Sequence, residues 1–298
     1  SDKKRCCGIQ KERIQTSMKK IFLTFDIEDW FQVENLRSVF PPETWGNQEL
    51  RVKENTRQIL ELLDKYNIKA TFFVLGWVAE RVPDLVKEIH NKGHEVASHG
   101  YSHILNYNMS EEEVRNDLKK SKDLLESIIN EEVVGYRAPS FSISDKLLWI
   151  FKGLGYKYDS SYNPFVQHDR YGKLNNVPDD TNPFVHESGI LEIPMPVLRV
   201  YNLKIPISGG GYFRILPISI FNNLTEKYLE NHESYVFYLH PWELDYSQPK
   251  IENIKLFYKF RHYYGLKDTK HKLERFISYF YKVSDIQFYT IRKLRNKN

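Results

Sequence analysis

Two short stretches of this chain carry residues whose types and spacing can do chemistry. Thr24-Phe25-Asp26-Ile27-Glu28-Asp29-Trp30 ends an apolar run, Ile21 to Phe25, in three carboxylates. Ser98-His99-Gly100-Tyr101-Ser102-His103 sets two histidines four apart, directly after a second apolar stretch. Two imidazoles and a carboxylate are a common ligand set for a divalent metal, and a hydrolytic metal site keeps one position open for water. Four apart on a helical turn, the two rings share a face. A buried strand that ends in three acids repels itself unless a cation or an arginine stands nearby. Three acids also leave one or two over for proton transfer. The chemistry this points to is metal-dependent hydrolysis.

Three further residues fit that reading. Arg137, in Gly135-Tyr136-Arg137-Ala138-Pro139, can hold a neighbouring carboxylate ionised and oriented, which suits a base that must start deprotonated. His240, between Leu239 and Pro241, can give a proton to a leaving amine near neutral pH. Asp159 ends the short strand read from Tyr156 to Tyr158. The remaining histidines, His90, His94, His168, His186, His232, His262 and His271, lack such context and read as structural or surface residues.

The elements that must position these groups alternate. Buried-strand patterns cover Ile21 to Phe25, Ala70 to Leu75, His94 to Ala97, Val133 to Tyr136, Tyr156 to Tyr158, Ile190 to Ile193, Val197 to Tyr201, Tyr235 to Leu239 and Ile286 to Ile291. Helical spacing covers Val52 to Tyr66, Val78 to Asn91, a stretch opened by the capping box Ser110-Glu111-Glu112-Glu113, Ser144 to Phe151, Pro217 to Glu230 and Lys270 to Phe280. Residues 160–189 read as a long active-site loop, residues 30–46 as an aromatic loop, and Ser208 to Tyr212 as a flexible turn. Alternation of strand and helix argues for a parallel sheet with helical crossovers. Asp26, His99, Arg137, Asp159 and His240 then all fall at the C-terminal ends of strands, where barrels and open sheets alike gather ligands.

The bulk numbers bound the rest. At 298 residues, with 41% hydrophobic and 28% charged content, the chain suits one large α/β domain, or one domain with an appendage. The net charge of +4 is concentrated at the two ends, and no basic stripe runs through the folded part, so nucleic acid is not expected as a partner. Cys6 and Cys7 are adjacent and cannot staple the fold. No apolar stretch is long enough for a membrane span, and residues 1–20 lack the apolar core of a signal peptide, so a cytoplasmic location is expected. Residues 1–17 read as a disordered, upstream or expression-derived segment.

Taken together, the motifs resemble the polysaccharide deacetylases of carbohydrate esterase family 4, the NodB-like group. Asp26 to Asp29 resembles its first motif, His99 to His103 its second, Arg137-Ala138-Pro139 its third and Leu239-His240-Pro241 its fifth, while Asp159-Ser160-Ser161 matches the fourth loosely. Asp-Ile-Glu-Asp-Trp-Phe, together with Gly209-Gly210-Gly211-Tyr212-Phe213-Arg214, is most similar to an exopolysaccharide-locus branch related to allantoinase-like and peptidoglycan-deacetylase-like members. The resemblance implies a distorted (β/α) barrel of about seven strands over residues 18–245, with a helical and strand extension over 246–298 packed on it. It implies one divalent metal, zinc first and cobalt or nickel next, held by Asp29, His99 and His103. Glu28 is the alternative carboxylate, because Asp26 and Glu28 face the same way on a strand. The family's acid pair is adjacent, whereas here Asp26 and Asp29 are three apart. The implied roles are Asp26 as base, Arg137 orienting it, Ser140 and the neighbouring Pro139 at the oxyanion and substrate, and His240 as acid supported by Asp159. The implied substrate is an N-acetylated polysaccharide or oligosaccharide. The rival readings are a small-molecule amidohydrolase on the same scaffold and a glycan-binding protein without turnover.

Overall fold

The strand around which the sheet forms is β1 (Lys19–Ile27), whose residues from Ile21 onward are all buried. The computed structural model describes residues 18–165, 171–178, 181–201 and 203–295. The segment 1–17 and His168 lie outside the described residues. After β1 come α1 (Val52–Lys65), β2 (Thr71–Val74), α2 (Gly76–Arg81), α3 (Pro83–Asn91), β3 (Glu95–Ser98), α4 (Glu111–Ile129) and β4 (Gly135–Tyr136). Then follow α5 (Asp145–Gly153), β5 (Tyr158–Asp159), β6 (Phe184–Val185), β7 (Leu191–Glu192), β8 (Val197–Val200) and β9 (Leu203–Pro206). The chain closes with α6 (Gly210–Ile215), α7 (Ile218–Asn231), β10 (Ser234–Leu239), α8 (Leu256–Tyr263), α9 (Leu266–Tyr281), β11 (Ile286–Tyr289) and α10 (Ile291–Arg295).

The main sheet runs β10-β1-β2-β3-β4-β5-β7-β6, with β11 also paired to β1, and only the β6–β7 pair is antiparallel. Between β7 and β10 the curl is bridged where the Tyr238 N–H donates to the Ser208 carbonyl at 2.7 Å. This is a distorted (β/α) barrel. Period-two alternation sorts its side chains. Phe22, Phe73, Ala97, Val134, Tyr158, Ile193, Met195 and Val236 form the cluster inside the sheet. Ile21, Leu23, Phe25 and Ile27 join the larger cluster under the helices.

Local chemistry sets the element ends. Ser110 and Glu113 form the expected reciprocal cap of α4. The single helix expected from Val78 to Asn91 is two, because Pro83 lacks an N–H and restricts Val82 before it. The turn expected at Ser208 to Tyr212 instead opens α6. Gly209 (φ 138°) lies so close to β10 that a Cβ there would sit 1.9 Å from the Tyr238 carbonyl oxygen. The aromatic loop at 30–46 is not an open surface: Trp30, Phe31 and Trp45 are buried, with Trp30 edge-on to Phe31, Trp45 edge-on to Trp77 and Phe31 tilted against Trp45.

The C-terminal stretch does more than lie against the barrel. β11 pairs with Lys19 to Phe22 of β1, while β2 pairs with Thr24 to Ile27, so the two share one side of β1 end to end. Ile291, fully buried, joins the interior cluster, and its N–H donates to Thr71 Oγ1 at 2.9 Å. The Arg292 N–H donates to Glu95 Oε2 at 2.9 Å. The end of the chain therefore plugs the barrel opposite the histidines. Among the described residues no helix is long and apolar enough to cross a membrane.

Candidate metal and acid–base site at the barrel rim

The inner face of β1 reads Phe22, Thr24, Asp26 and then Glu28 just past its end. That parity carries two carboxylates up the barrel wall to its C-terminal rim. Asp29 turns the other way. Its Oδ1 accepts the Trp30 N–H at 2.9 Å, and its Oδ2 accepts the Arg51 and Val52 N–H groups at 2.8 and 2.9 Å. Asp29 thus caps the start of α1 from a distance in sequence. Burial pushes its carboxyl up to about 6, against the three N–H donors that favour the ionised form. The expectation that Asp29 faces the histidines is corrected: Glu28 does.

The histidine pair is not helical, as its spacing suggested. It lies in a loop after β3 in which Gly100 (φ 73°) and His103 (φ 54°) are both left-handed. Asp117 of α4 holds that loop by accepting the Tyr101 and Ser102 N–H groups at 2.7 and 2.9 Å. The rings still meet, with centroids 5.4 Å apart. His99 donates its Nδ1–H to the Arg137 carbonyl at 2.8 Å. A carbonyl only accepts, so the Nε2 lone pair of His99 is the one left for the site. Burial pushes His99 down to about 4, so it is a neutral imidazole at neutral pH. Arg37 backs the second ring, 3.3 Å from His103 Nδ1 and bonded to the His103 carbonyl.

One ligand atom each from Glu28, His99 and His103 falls within 4.8 Å of the others, and all three residues are buried. Glu28 Oε2 and His103 Nε2 are 2.6 Å apart, yet that oxygen makes no hydrogen bond of acceptable geometry. One carboxylate and two imidazoles that converge in this way, with a buried carboxylate oxygen otherwise unpartnered, are a donor set that fits a divalent cation. Burial pushes the Glu28 carboxyl up, but His103, His240 and His99 outweigh it and hold the group well below the usual carboxylate range.

Two side-chain pairs flank these three. On one side Arg137 Nη1 donates to Asp26 Oδ1 and Thr24 Oγ1, both at 2.8 Å, while Nε and Nη2 donate to the Ser160 carbonyl and hydroxyl at 3.0 Å. Arg137 is fully buried and stacks over Phe73, which fixes its fork on Asp26. On the other side His240 Nε2 lies 3.1 Å from Glu28 Oε1 and 3.9 Å from Asp26 Oδ2. Its Nδ1 pairs with Glu243 Oε1 at 2.8 Å, and Glu243 Oε2 accepts from Arg214 Nε at 2.6 Å. Burial pushes His240 down, but Glu28, Glu243 and Asp26 outweigh it and raise it to about 9.

The other expected site residues divide. Ser140 (φ 49°) lines the same pocket, a cavity of about 120 Å³, with Tyr171 of the long loop. Pro139 is buried against Gly100 and does not line it. Asp159 does not support His240, which Glu243 does. Asp159 instead accepts the Ser161 N–H and hydroxyl at 2.9 and 2.8 Å inside the barrel wall, beside Glu192. Burial pushes Asp159 up to about 6 and Glu192 well above its ordinary value. The sequence assigns no role to Glu243 or Arg37, it marks Arg214 only as the end of the Gly209 motif, and His262, read as a structural or surface residue, is part of the pocket wall. His262 is stacked on Trp242 at 4.6 Å and pushed down to about 3 by burial. Glu243 carried a local signal: it stands three after His240, and its carboxylate also accepts the His240 N–H, as in a capping box.

Comparison with known proteins agrees with this geometry. A family model described as "Polysaccharide deacetylase" matches residues 13–158, and one described as "Domain of unknown function (DUF3473)" matches residues 160–295. A peptidoglycan-N-acetylglucosamine deacetylase of Bacillus cereus is 35% identical over 102 residues, 34% of this chain and 47% of the relative. A peptidoglycan deacetylase of Helicobacter pylori is 30% identical over 149 residues, 46% of this chain and 51% of the relative. The chain thus spans about half the length of these two relatives. A candidate polysaccharide deacetylase of Mycobacterium smegmatis superposes with a TM-score of 0.63 at 18% identity, covering 95% of this chain and 91% of that one, which shows the shared fold. Residues 13–158, which hold the first three motifs, thus match the polysaccharide deacetylase family, and the barrel they help to build is the fold shared with the Mycobacterium smegmatis structure.

Proposed function

We propose that this chain is a metal-dependent deacetylase that removes N-acetyl groups from amino sugars of a polysaccharide. One observation supports the reading above the others. Glu28, His99 and His103 converge between an arginine-held aspartate and a carboxylate-held histidine, all bordering one pocket. Peptidoglycan deacetylases among the relatives suggest the substrate class.

In this reading Glu28, His99 and His103 hold a divalent ion, and their nitrogen and oxygen donors suit zinc, with cobalt or nickel as alternatives. When bound, such an ion supplies Lewis acidity and makes water acidic enough to lose a proton near neutral pH. Asp26 receives that proton, and the Arg137 guanidinium holds its carboxylate in position. Ser140, at the pocket wall, offers its N–H to the developing oxyanion. His240, protonated up to about pH 9, delivers a proton to the departing amine, and Glu243 fixes which nitrogen faces the pocket. The family model covers about half of the chain, and in this reading Asp159, bonded to Ser161 rather than to His240, has a structural role.

The test is acetate release from chitin oligomers and from peptidoglycan, by metal-stripped protein and by the same protein reloaded with zinc. Release that appears on reloading supports the proposal. Hydrolysis of cyclic ureides without acetate release would favour the small-molecule reading, and glycan binding without release the binding reading.

A further inference from the structure

Helix α8 is built inside out. Its one buried residue is His262, while Leu256, Phe257 and Phe260 are 84%, 67% and 53% exposed. A helix on a barrel surface normally turns its apolar side chains inward. Here the inward contacts are polar and firm. Arg214 donates to the carbonyls of Arg261, His262 and Tyr264 at 2.7, 2.9 and 2.6 Å. His262 Nε2 pairs with Gln248 Oε1 at 2.7 Å, and the Tyr263 hydroxyl ties down Pro249 and Ile251. The three apolar side chains are therefore held outward by a pinned helix.

Cations surround them. Residues 246–267 contain Lys250, Lys255, Lys259, Arg261 and Lys267 against the single acid Glu252. Lys250, Lys255 and Lys267 are exposed. Outward Leu and Phe within a basic surround have the chemistry of a helix that rests in the interface of an anionic bilayer, the apolar groups entering and the ammonium groups meeting lipid phosphates. We infer that α8 docks this protein on an anionic lipid surface. The patch adjoins the pocket, since Arg261 and His262 of the same helix line it. Docking would hold the pocket mouth close to the bilayer, facing saccharide presented there. That last step rests on the proposed function; the docking does not.

The experiment is sedimentation of the full chain with vesicles of phosphatidylcholine alone and of phosphatidylcholine mixed with phosphatidylglycerol. Wild type is expected to partition at least ~10-fold more strongly onto the mixed vesicles. The variant Leu256→Ser/Phe257→Ser/Phe260→Ser is expected to lose ~10-fold or more of that partitioning with an unchanged melting temperature. Lys255→Glu/Lys259→Glu is expected to lose the preference for phosphatidylglycerol. Equal binding by wild type and the serine variant would overturn the inference, as would no binding by wild type. So would serine substitutions that only raise KM for a soluble chitin oligomer, which would make the face a sugar platform. Wild-type self-association lost in the serine variant, without vesicle binding, would make it a dimer contact and equally overturn it. Acetate release is not a readout of vesicle binding, so failure of the deacetylase reading would be seen separately.

Discussion

Two pairs of carboxylates end strands of the same barrel, and they live under opposite conditions. Asp26 and Glu28 at the end of β1 face Arg137 and three histidines. Asp159 and Glu192, at the ends of β5 and β7, are fully buried and meet hydroxyl and N–H donors from Ser161 and Tyr162. The difference lies in the neighbouring imidazoles and guanidinium rather than in burial, since all four are nearly inaccessible. Where those groups face the pair, Glu28 is driven far down; where burial dominates, Asp159 and Glu192 are driven up. Arg137 stands between the two, with one edge on Asp26 and the other on Ser160, next to Ser161. On the proposed reading the rim pair serves chemistry and the inner pair structure.

Substitutions can break or sharpen that contrast. The largest effect on turnover is expected from Asp26→Asn. It should lower kcat for acetate release by ~10²–10⁴-fold while leaving the bound metal in place, as checked by elemental analysis beside the assay. Arg137→Lys comes next, because an ammonium cannot reproduce the fork on Asp26 and Ser160. Loss of ~3 kcal/mol of stability in urea melts, with a fall in kcat, is the expected outcome. Glu243→Gln removes one of the carboxylates that keep His240 protonated. The alkaline limb of kcat/KM, where His240 loses its proton, should then move to lower pH, which a pH–rate profile reads directly.

The smallest effect belongs to the inner pair. A carboxyl whose pKa rises on folding gives its full relative stabilisation below its unfolded value and loses it as pH rises through the folded one. For Asp159 that window runs from about 4 to about 6. Wild-type stability should therefore fall across that range by on the order of 1–3 kcal/mol through this pair, and Glu192→Gln should flatten the slope. Denaturant melts at several pH values check it. A slope unchanged by the substitution would mean that the inner pair is not where the protons sit.

Much of this architecture could be read from residues. The apolar runs predicted the strands that carry Asp26, His99, Arg137 and His240, because a strand buried on both faces has little choice of composition. Period two along β1 already placed Asp26 and Glu28 on one face. What misled was Asp29, whose work is to cap a helix that begins 23 residues later, a contact with no local signature. The same holds for Arg214, which meets Glu243 29 residues further along the chain. Helix α8 escaped notice for the opposite reason: its apolar residues face solvent, so their spacing does not mark a buried face. The aromatics of residues 30–46 were legible as aromatics, but not as a buried cluster, since no period distinguishes the two.

The central claim is that Glu28, rather than Asp29, completes the set with His99 and His103. Metal content of purified Glu28→Gln and Asp29→Asn protein, measured side by side against wild type, tests it most directly. The account predicts that Glu28→Gln comes out empty or nearly so, and that Asp29→Asn keeps its ion with at most a lowered melting temperature. Retention by the first and loss by the second would contradict it.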